Sequence, residues 1–444
     1  MFKRVLIANR GEIALRISRA LRTLGCEVAI IHGREDRLSL PVRFSDLAVA
    51  NYSSNPLESY LDYERVIEIA KEIGAEAIHP GYGFLAENAS FVRRCEEEGI
   101  VFIGPSSDVI SLLGDKIEAR KAMEAAGLPV AKGSNEPINN AREAAALATD
   151  IGYPVIIKAA AGGGGIGMQI VHEESEFESA LNLCQSRAKS AFGDDRVFVE
   201  KFIEGAQHIE FQVLGDGHRA IHFGERFCSI QRRHQKLLEE GPWLDAEVRA
   251  EIGARVCAGA QAVGYKGLAT FEFLRDKHGD FYFLEVNPRV QVEHTVTEMI
   301  TGHDLVSLGI RIAAGESLSL TQEEIEISGH AIQCRINAED PVKFIPSPGR
   351  LWDCHFPAGF GVRVDTHAHI GYEMPGCFDS LLAKMIVWAP NREDAIAGMK
   401  TALGETVLVG VDTVIPLHKA ILDEPDFQSR QITIQYLDEH PNIL

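Results

Sequence analysis

No Cys-x-x-Cys pair occurs in this sequence, no apolar run approaches the ~20 residues of a membrane helix, and no repeat or low-complexity linker divides it. Its eight cysteines (Cys26, Cys95, Cys184, Cys228, Cys257, Cys334, Cys354 and Cys377) are scattered, which fits a reducing cytoplasm. The opening MFKRVLIANRG turns polar after four apolar residues, so no signal peptide is expected. Positive charge is also short. Against 64 Asp and Glu stand 44 Lys and Arg, a formal net charge of −20 with a pI near 5.3. That balance excludes general binding to nucleic acid or to an anionic membrane, and leaves room for a local basic pocket.

What is present is an ordinary globular composition, 45% hydrophobic and 24% charged, in a 444-residue chain that allows roughly two to four domains. The first hundred residues alternate strand and helix. VLIA (5–8), EVAIIH (27–32), AEAIHP (75–80) and IVFIGP (100–105) read as strands. Between them lie a helix with apolar Ile13, Leu15, Ile17, Leu21 and Leu24, stopped by Gly25, and the helix DYERVIEIAKEIG (62–74). Such an order predicts a parallel sheet covered by helices. After the helix GDKIEARKAMEAAG (114–127), VFVEKFI (197–203) and HIEFQVL (208–214) read as antiparallel strands. The last stretch, from GHAIQCRI onward, mixes strands with a helix capped by Asn391.

Four motifs carry chemistry. AGGGGIG (161–167) spells G-x-G-x-x-G, but MQIV after it reads as a strand where a dinucleotide fingerprint needs a helix, and the Gly-Lys-Ser/Thr of a phosphate-binding loop is missing. It is expected to be a glycine hairpin that lets backbone amides approach an anion, with Lys158 just before it. Pairing TFEFL with FYFLEVN around a KHGD loop sets Glu272 opposite Glu285, ~5 Å apart, a like-charge conflict that a divalent cation removes. Asn287 adds a third oxygen, and an all-oxygen set suits Mg²⁺ or Mn²⁺ shared with phosphates. QRRHQK (231–236) concentrates Arg232, Arg233, His234 and Lys236, which is either a solvated run or an anion site. EVNPRVQVEH (285–294) and QCRIN (333–337) alternate polar and apolar residues, so Glu285, Asn287, Arg289, Gln291 and Glu293 are expected on one face of one strand, and Gln333, Arg335 and Asn337 on one face of another. For the second of these, a half-exposed edge strand is the plainer reading.

Together with IANRGEIALRI (7–17), HPGYGFLAEN (79–88), GDK (114–116), IKAAAGGGGIGM (157–168), CRINAEDP (334–341) and PSPG (346–349), these segments resemble the biotin carboxylase family, in order and over essentially the whole chain. The resemblance implies an ATP-grasp fold of mixed α/β and α+β class. It divides the chain into an N-terminal Rossmann-like parallel-sheet domain (1–113), a linking helix (114–130), a glycine-rich lid (131–203), a central nucleotide and metal subdomain (204–328) and a mixed C-terminal domain (329–444). It implies carboxylation of biotin at a ureido nitrogen from bicarbonate and MgATP (or MnATP), through carboxyphosphate. Lacking a Met-Lys-Met biotin-attachment segment and a carboxyltransferase region, the chain is expected to be a free-standing subunit. Its expected partners are a biotin carboxyl carrier protein and carboxyltransferase subunits, with no nucleic acid and no membrane.

Carried over by resemblance, Lys116 and Lys158 contact ATP phosphates, Gly164 and Gly165 lie over them, and Glu200, Lys201, Phe202 and Ile203 line the adenine. His208, Gln231 and His234 complete the nucleotide site, and Glu272, Glu285 and Asn287 hold the metals. Lys236, Arg289, Gln291 and Val292 bind bicarbonate, Val292 through its backbone, and Glu293 is the general base. Arg335 binds the biotin carbonyl oxygen, with Tyr82 nearby. Ile166 stands where many relatives carry Arg or Lys, so the lid has one positive charge fewer. Arg16, Arg19, Phe360 and Arg363 match the relatives' dimer face, and a homodimer is expected. Three other readings compete with this one. The first is an ATP-grasp ligase with a different acceptor, the second a catalytically silent ATP-binding protein, and the weakest a dehydrogenase.

Overall fold

The computed structural model describes residues 1–138, 140–162 and 167–444. In the first region five short apolar strands form a parallel sheet: β1 (Arg4–Ile7), β2 (Glu27–His32), β3 (Leu47–Ala50), β4 (Ala77–His79) and β5 (Val101–Phe102), in the order β3-β2-β1-β4-β5. The first helix, Gly11–Thr23, buries Ile13, Ala14, Ile17, Ala20 and Leu21, and the chain turns at Gly25 with φ +76°. From β1 the chain builds outward on one side and then returns to β4 on the other. This places a switch point at the carboxyl ends of β1 and β4, where open α/β sheets bind ligands. The two ends are tied there. Ala8 N–H donates to His79 O at 3.0 Å, and the Asn9 amide donates to Pro80 O at 2.6 Å and Tyr82 O at 2.8 Å.

The glycine segment joins β6 (Val155–Ala159) to β7 (Met168–Val171), which are antiparallel neighbours, so the hairpin expectation holds for its flanks. Gly163 to Ile166, and with them Gly164 and Gly165, lie outside the described residues. The strand β8 (Val197–Lys201) pairs with the other side of β6. VFVEKFI is therefore not a partner of HIEFQVL. A turn at Gly205 (φ +58°) separates the two, and the second enters a different sheet.

That second sheet has eight strands. It contains β9 (Gln207–Asp216), β10 (Ala220–Arg232), β11 (Gln235–Gly241), β12 (Lys266–Arg275), β13 (Phe281–Asn287) and β14 (His330–Asn337). After the short β15 (Gly349–Arg350) and β16 (Asp353–His355) come β17 (Val362–Thr366), the two-residue β18 (Glu373–Met374) and β19 (Leu381–Ala389). The order is β13-β12-β9-β10-β11-β14-β19-β17. QCRIN is thus an interior strand and not an edge. The EVNPRVQVEH segment also departs from expectation. Its strand ends at Asn287, because Pro288 has no N–H to continue the ladder, and the Arg289 N–H turns back to Asn287 O at 2.9 Å. Residues 288–293 form a loop, and Glu293 precedes the helix His294–Thr301. Asn391 caps Arg392–Glu405 as expected, accepting from Asp394 N–H at 2.9 Å. No helix among the described residues is long and apolar enough to cross a membrane.

A buried carboxylate fastens the middle of the large sheet to that last helix. Glu240 on β11 is fully buried and accepts from Arg392 at 2.6 and 3.0 Å, with His330 of β14 at 2.7 Å. Burial raises its carboxyl, and the hydrogen bonds from His330 and Arg392 outweigh that, bringing it from an ordinary 4.5 down to about 2. A folded value below the unfolded one stabilises the protein above pH ~4.5, and that contribution disappears as pH falls toward 2. Glu240→Gln is expected to cost about 3–5 kcal/mol at neutral pH, since it leaves Arg392 buried against a neutral group. Thermal unfolding of variant and parent should converge between pH 4.5 and 2. A gap independent of pH would show that the ion pair is not the cause.

Candidate active site

A cavity of about 690 Å³ opens where the switch point, the three-stranded sheet β7-β6-β8 and the large sheet meet. Its wall takes Asn9 to Ile13 and Tyr82 to Phe84 from the first region, Lys158, Met168 and Phe198 from the three-stranded sheet, and Lys116 from the start of the helix Lys116–Ala125. The large sheet supplies His208, Gln231, His234, Lys236, Glu272, Glu285, Asn287 and Arg335, and the loop after β13 supplies Arg289, Gln291, Val292 and Glu293. Apolar Leu274, Leu284 and Ile434 also line it. The dispersed motifs of the sequence thus converge on one space.

Lys236 is its centre. Its ammonium donates to Glu210 at 2.5 Å, Glu272 at 2.8 Å and Glu293 at 2.7 Å, one proton for each carboxylate. Burial alone would lower the lysine, but these three carboxylates raise it well above its ordinary value. Glu293 is clamped from both sides, since its second oxygen accepts from Arg335 at 3.0 Å. Burial would raise Glu293; Lys236, Arg335 and Arg226 prevail and hold it far below the usual carboxylate range. Arg335 is itself fixed by Glu239, which accepts from its Nε at 2.6 Å.

The expected carboxylate pair is present. Glu272 lies opposite Glu285, although the connecting loop is one residue longer than KHGD and a bulge after Glu272 restores the register. Protein cations occupy both carboxylates. Glu285 accepts from Lys116 at 2.8 Å, while Glu272 meets Lys236, His208 (3.0 Å), Asn287 (2.9 Å) and Gln291 (2.9 Å). Two carboxylates and an amide oxygen on one wall are hard donors, so the set fits Mg²⁺ or Mn²⁺ held jointly with phosphate oxygens. Arg289 reaches Asn287 Oδ1 at 3.0 Å and is anchored on Glu87.

The QRRHQK run is the tip of the β10–β11 hairpin, and Arg233 and His234 both adopt left-handed backbone (φ 49° and 64°). Such strain persists only where the surroundings impose it. Arg232 stacks over Phe344 at 3.8 Å, which pins the tip while Gln231, His234 and Lys236 turn into the cavity. The strand-end segment is placed differently. Glu200 forms a buried ion pair with Lys158, whereas Lys201 donates to the carbonyls of Gly152 (2.9 Å) and Tyr153 (3.1 Å). Among the described residues the cavity wall does not include Glu200, Lys201, Phe202 or Ile203.

Sequence reading missed the fully buried support beneath these groups. Arg226 binds Glu210 at 2.6 Å, Gln212 at 2.9 Å and Thr297 at 2.7 Å, and Glu239 holds Arg335. The available signal was a charged residue inside an otherwise apolar strand, as in HIEFQVL and HFGERFC.

Comparison with known proteins agrees with this geometry. Residues 1–110 match the biotin carboxylase N-terminal domain, residues 115–321 the carbamoyl-phosphate synthase L chain ATP-binding domain, and residues 333–439 the biotin carboxylase C-terminal domain. The chain is 48% identical to a biotin carboxylase of Haemophilus influenzae, covering 99% of each. It is likewise 48% identical to biotin carboxylase 1 of Bacillus subtilis, again covering 99% of each. Among solved structures, the biotin carboxylase domain dimer of Hydrogenobacter thermophilus 2-oxoglutarate carboxylase, in complex with MgADP, ADP and bicarbonate, superposes with a TM-score of 0.96 at 48% identity, covering 100% of this chain and 98% of that one. From a cavity built around Lys236, Glu293 and Arg335 and from full-length likeness at nearly half identity, it follows that this chain belongs to the biotin carboxylase family.

Proposed function

We propose that the chain is an ATP-dependent ligase that forms a C–N bond, carboxylating a ureido nitrogen of carrier-bound biotin with bicarbonate and MgATP. The observation that carries this reading is Glu293, a buried carboxylate clamped between Lys236 and Arg335 in the wall of a cavity that Lys116, Lys158 and Tyr82 also line. A relative's complex with MgADP and bicarbonate supports it.

In this reading Lys116 and Lys158 receive the ATP phosphates, and His208, Gln231 and His234 complete the nucleotide site beside the apolar Leu274, Leu284 and Ile434. Glu200 to Ile203, Gly164 and Gly165 are assigned to the nucleotide on the resemblance alone. Glu272, Glu285 and Asn287 would hold Mg²⁺ or Mn²⁺, which when bound offsets phosphate charge. Lys236, Arg289, Gln291 and Val292 receive bicarbonate, Val292 through its backbone. The anion competes for the N–H groups that hold Glu293 ionised, and weakening that hold raises the basicity of Glu293 as it takes the bicarbonate proton. Attack on the γ-phosphate breaks its bond to the β-phosphate oxygen, releasing ADP and giving carboxyphosphate, which breaks down to CO₂ and phosphate. The phosphate then takes the ureido N1 proton, and Arg335 stabilises the enolate oxygen as the ring nitrogen attacks CO₂.

A silent nucleotide-binding protein, or a ligase with another acceptor, is not favoured, because Lys236, Arg289, Glu293 and Arg335 all reach one cavity. The domain division at 113, 130, 203 and 328 is proposed with this assignment. So are a carrier protein and carboxyltransferase subunits as partners, and a reducing cytoplasm, which suits eight free cysteines. A homodimer is proposed through a face where Arg16 and Arg363 are fixed on Glu298 and Phe360 is 91% exposed.

The direct test is ATP hydrolysis by the purified protein with Mg²⁺ and bicarbonate, with and without free biotin and a biotinylated carrier. Stimulation by biotin or by the carrier that requires bicarbonate is expected, and its absence with both would overturn the assignment. Glu293→Gln is expected to bind ATP normally and lose about 10²–10⁴-fold in biotin-dependent cleavage. Turnover at the parental rate would remove Glu293 as the base. Arg335→Ala should lower biotin carboxylation about 10²–10³-fold, and lower bicarbonate-dependent hydrolysis much less. Equal losses would contradict its role.

A further inference from the structure

Tyr82 stands on the turn after β4, between Gly81 and Gly83 (φ 64° and 67°), with its carbonyl held by Asn9. Its hydroxyl donates to Glu12 Oε1. Glu12 is only 3% exposed, and its other oxygen lies 3.0 Å from Lys384 Nζ, an ammonium with no exposure at all. Lys384 is directly opposite Arg335 on β14 and Asp365 on β17, so these three charges form a row across one face of the large sheet. Burial raises the Glu12 carboxyl and Lys384 opposes that shift. Burial, and then Glu12, raises the Tyr82 phenol well above 10, so it stays neutral.

The consequence is directional. A phenol has one proton, and Tyr82 commits it to Glu12; toward the cavity it offers lone pairs only. Arg335, lining the same cavity, offers donors only. A ureido ring presents a carbonyl beside N–H groups, which is the complement of that pair. We infer that Glu12, held by Lys384, is a positioning residue that orients Tyr82 to accept a hydrogen bond from a ureido N–H while Arg335 holds the carbonyl. This rests on the biotin reading and adds to it the two buried residues and the polarity of the Tyr82 contact.

The experiment uses the full chain with free biotin and compares kcat/KM for biotin with bicarbonate-dependent ATP hydrolysis in its absence. Tyr82→Phe keeps the ring and removes the acceptor. It is expected to lower kcat/KM for biotin, chiefly through KM, about three- to tenfold more than it lowers hydrolysis without biotin. Glu12→Gln should give a similar biotin-selective loss alone and less than a twofold further loss on the Tyr82→Phe background. If Glu12→Gln is as damaging on that background as in the parent, or lowers both activities equally, Glu12 is only structural and the inference fails. If Glu12→Gln does not fold, Tyr82→Phe decides alone, and an unchanged KM for biotin overturns the proposal. Where only the biotinylated carrier stimulates the parent, the same comparison is made with the carrier; a parent that neither stimulates removes the biotin reading itself, and this inference with it.

Discussion

Three carboxylates on one buried ammonium form the constraint on which the rest of this site depends. Glu210 comes from β9, Glu272 from β12 and Glu293 from the loop after β13, and each is within 2.5–2.8 Å of Lys236. Buried charges of one sign are tolerable only when paired and hydrogen-bonded. The sheet can close there because a hairpin tip delivers Lys236 from β11 and Arg226 supports Glu210 from below. The left-handed backbone at Arg233 and His234 is the local cost of that delivery, and the stacking of Arg232 on Phe344 helps to sustain it.

The same arrangement serves chemistry because the cavity's principal cations already have protein carboxylates as partners. Lys116 has Glu285, Lys158 has Glu200, Arg289 has Glu87, and Arg335 has Glu239 and Glu293. Phosphate and bicarbonate oxygens would compete for these N–H groups, so binding is an exchange of anions in a preformed field and needs little reorganisation. This also accounts for a basic pocket in a chain of net charge −20. The positive groups are few and convergent, and each is neutralised locally.

Much of this is legible from the sequence, and the failures have physical reasons. EVAIIH corresponds to β2, and the Glu272–Glu285 pairing is correct even though the loop is longer than expected, because the bulge compensates. Strict alternation fails at Pro288, where a strand cannot continue. Glu285 and Asn287 keep the strand face, but Arg289, Gln291 and Glu293 reach the cavity instead from the loop and the helix start. The neighbour of VFVEKFI is misread because strand pairing across a glycine turn leaves no local mark. Glu12, Glu210, Arg226, Glu239 and Lys384 are invisible as site residues, since the partner of each lies on another element and no local pattern names it. Sequence pattern shows a charge out of place. Only the fold shows which opposite charge justifies it.

The two parts of the cavity are assembled by different kinds of contact. The Lys116 part joins the helix that begins at Lys116 to the large sheet through side-chain ion pairs such as Lys116 with Glu285. The Tyr82 part arises where the first helix packs against β17 and β19, bridged by Glu12 with Lys384 and by Arg16 and Arg363 on Glu298. Tyr82 and Arg335 lie more than 250 residues apart and come from different sheets, so the phenol and the guanidinium acquire a fixed relation only when the N-terminal and C-terminal regions are packed together. The buried ion pairs between those regions therefore set the relation of the two groups, because a buried charge holds its position only through its partner.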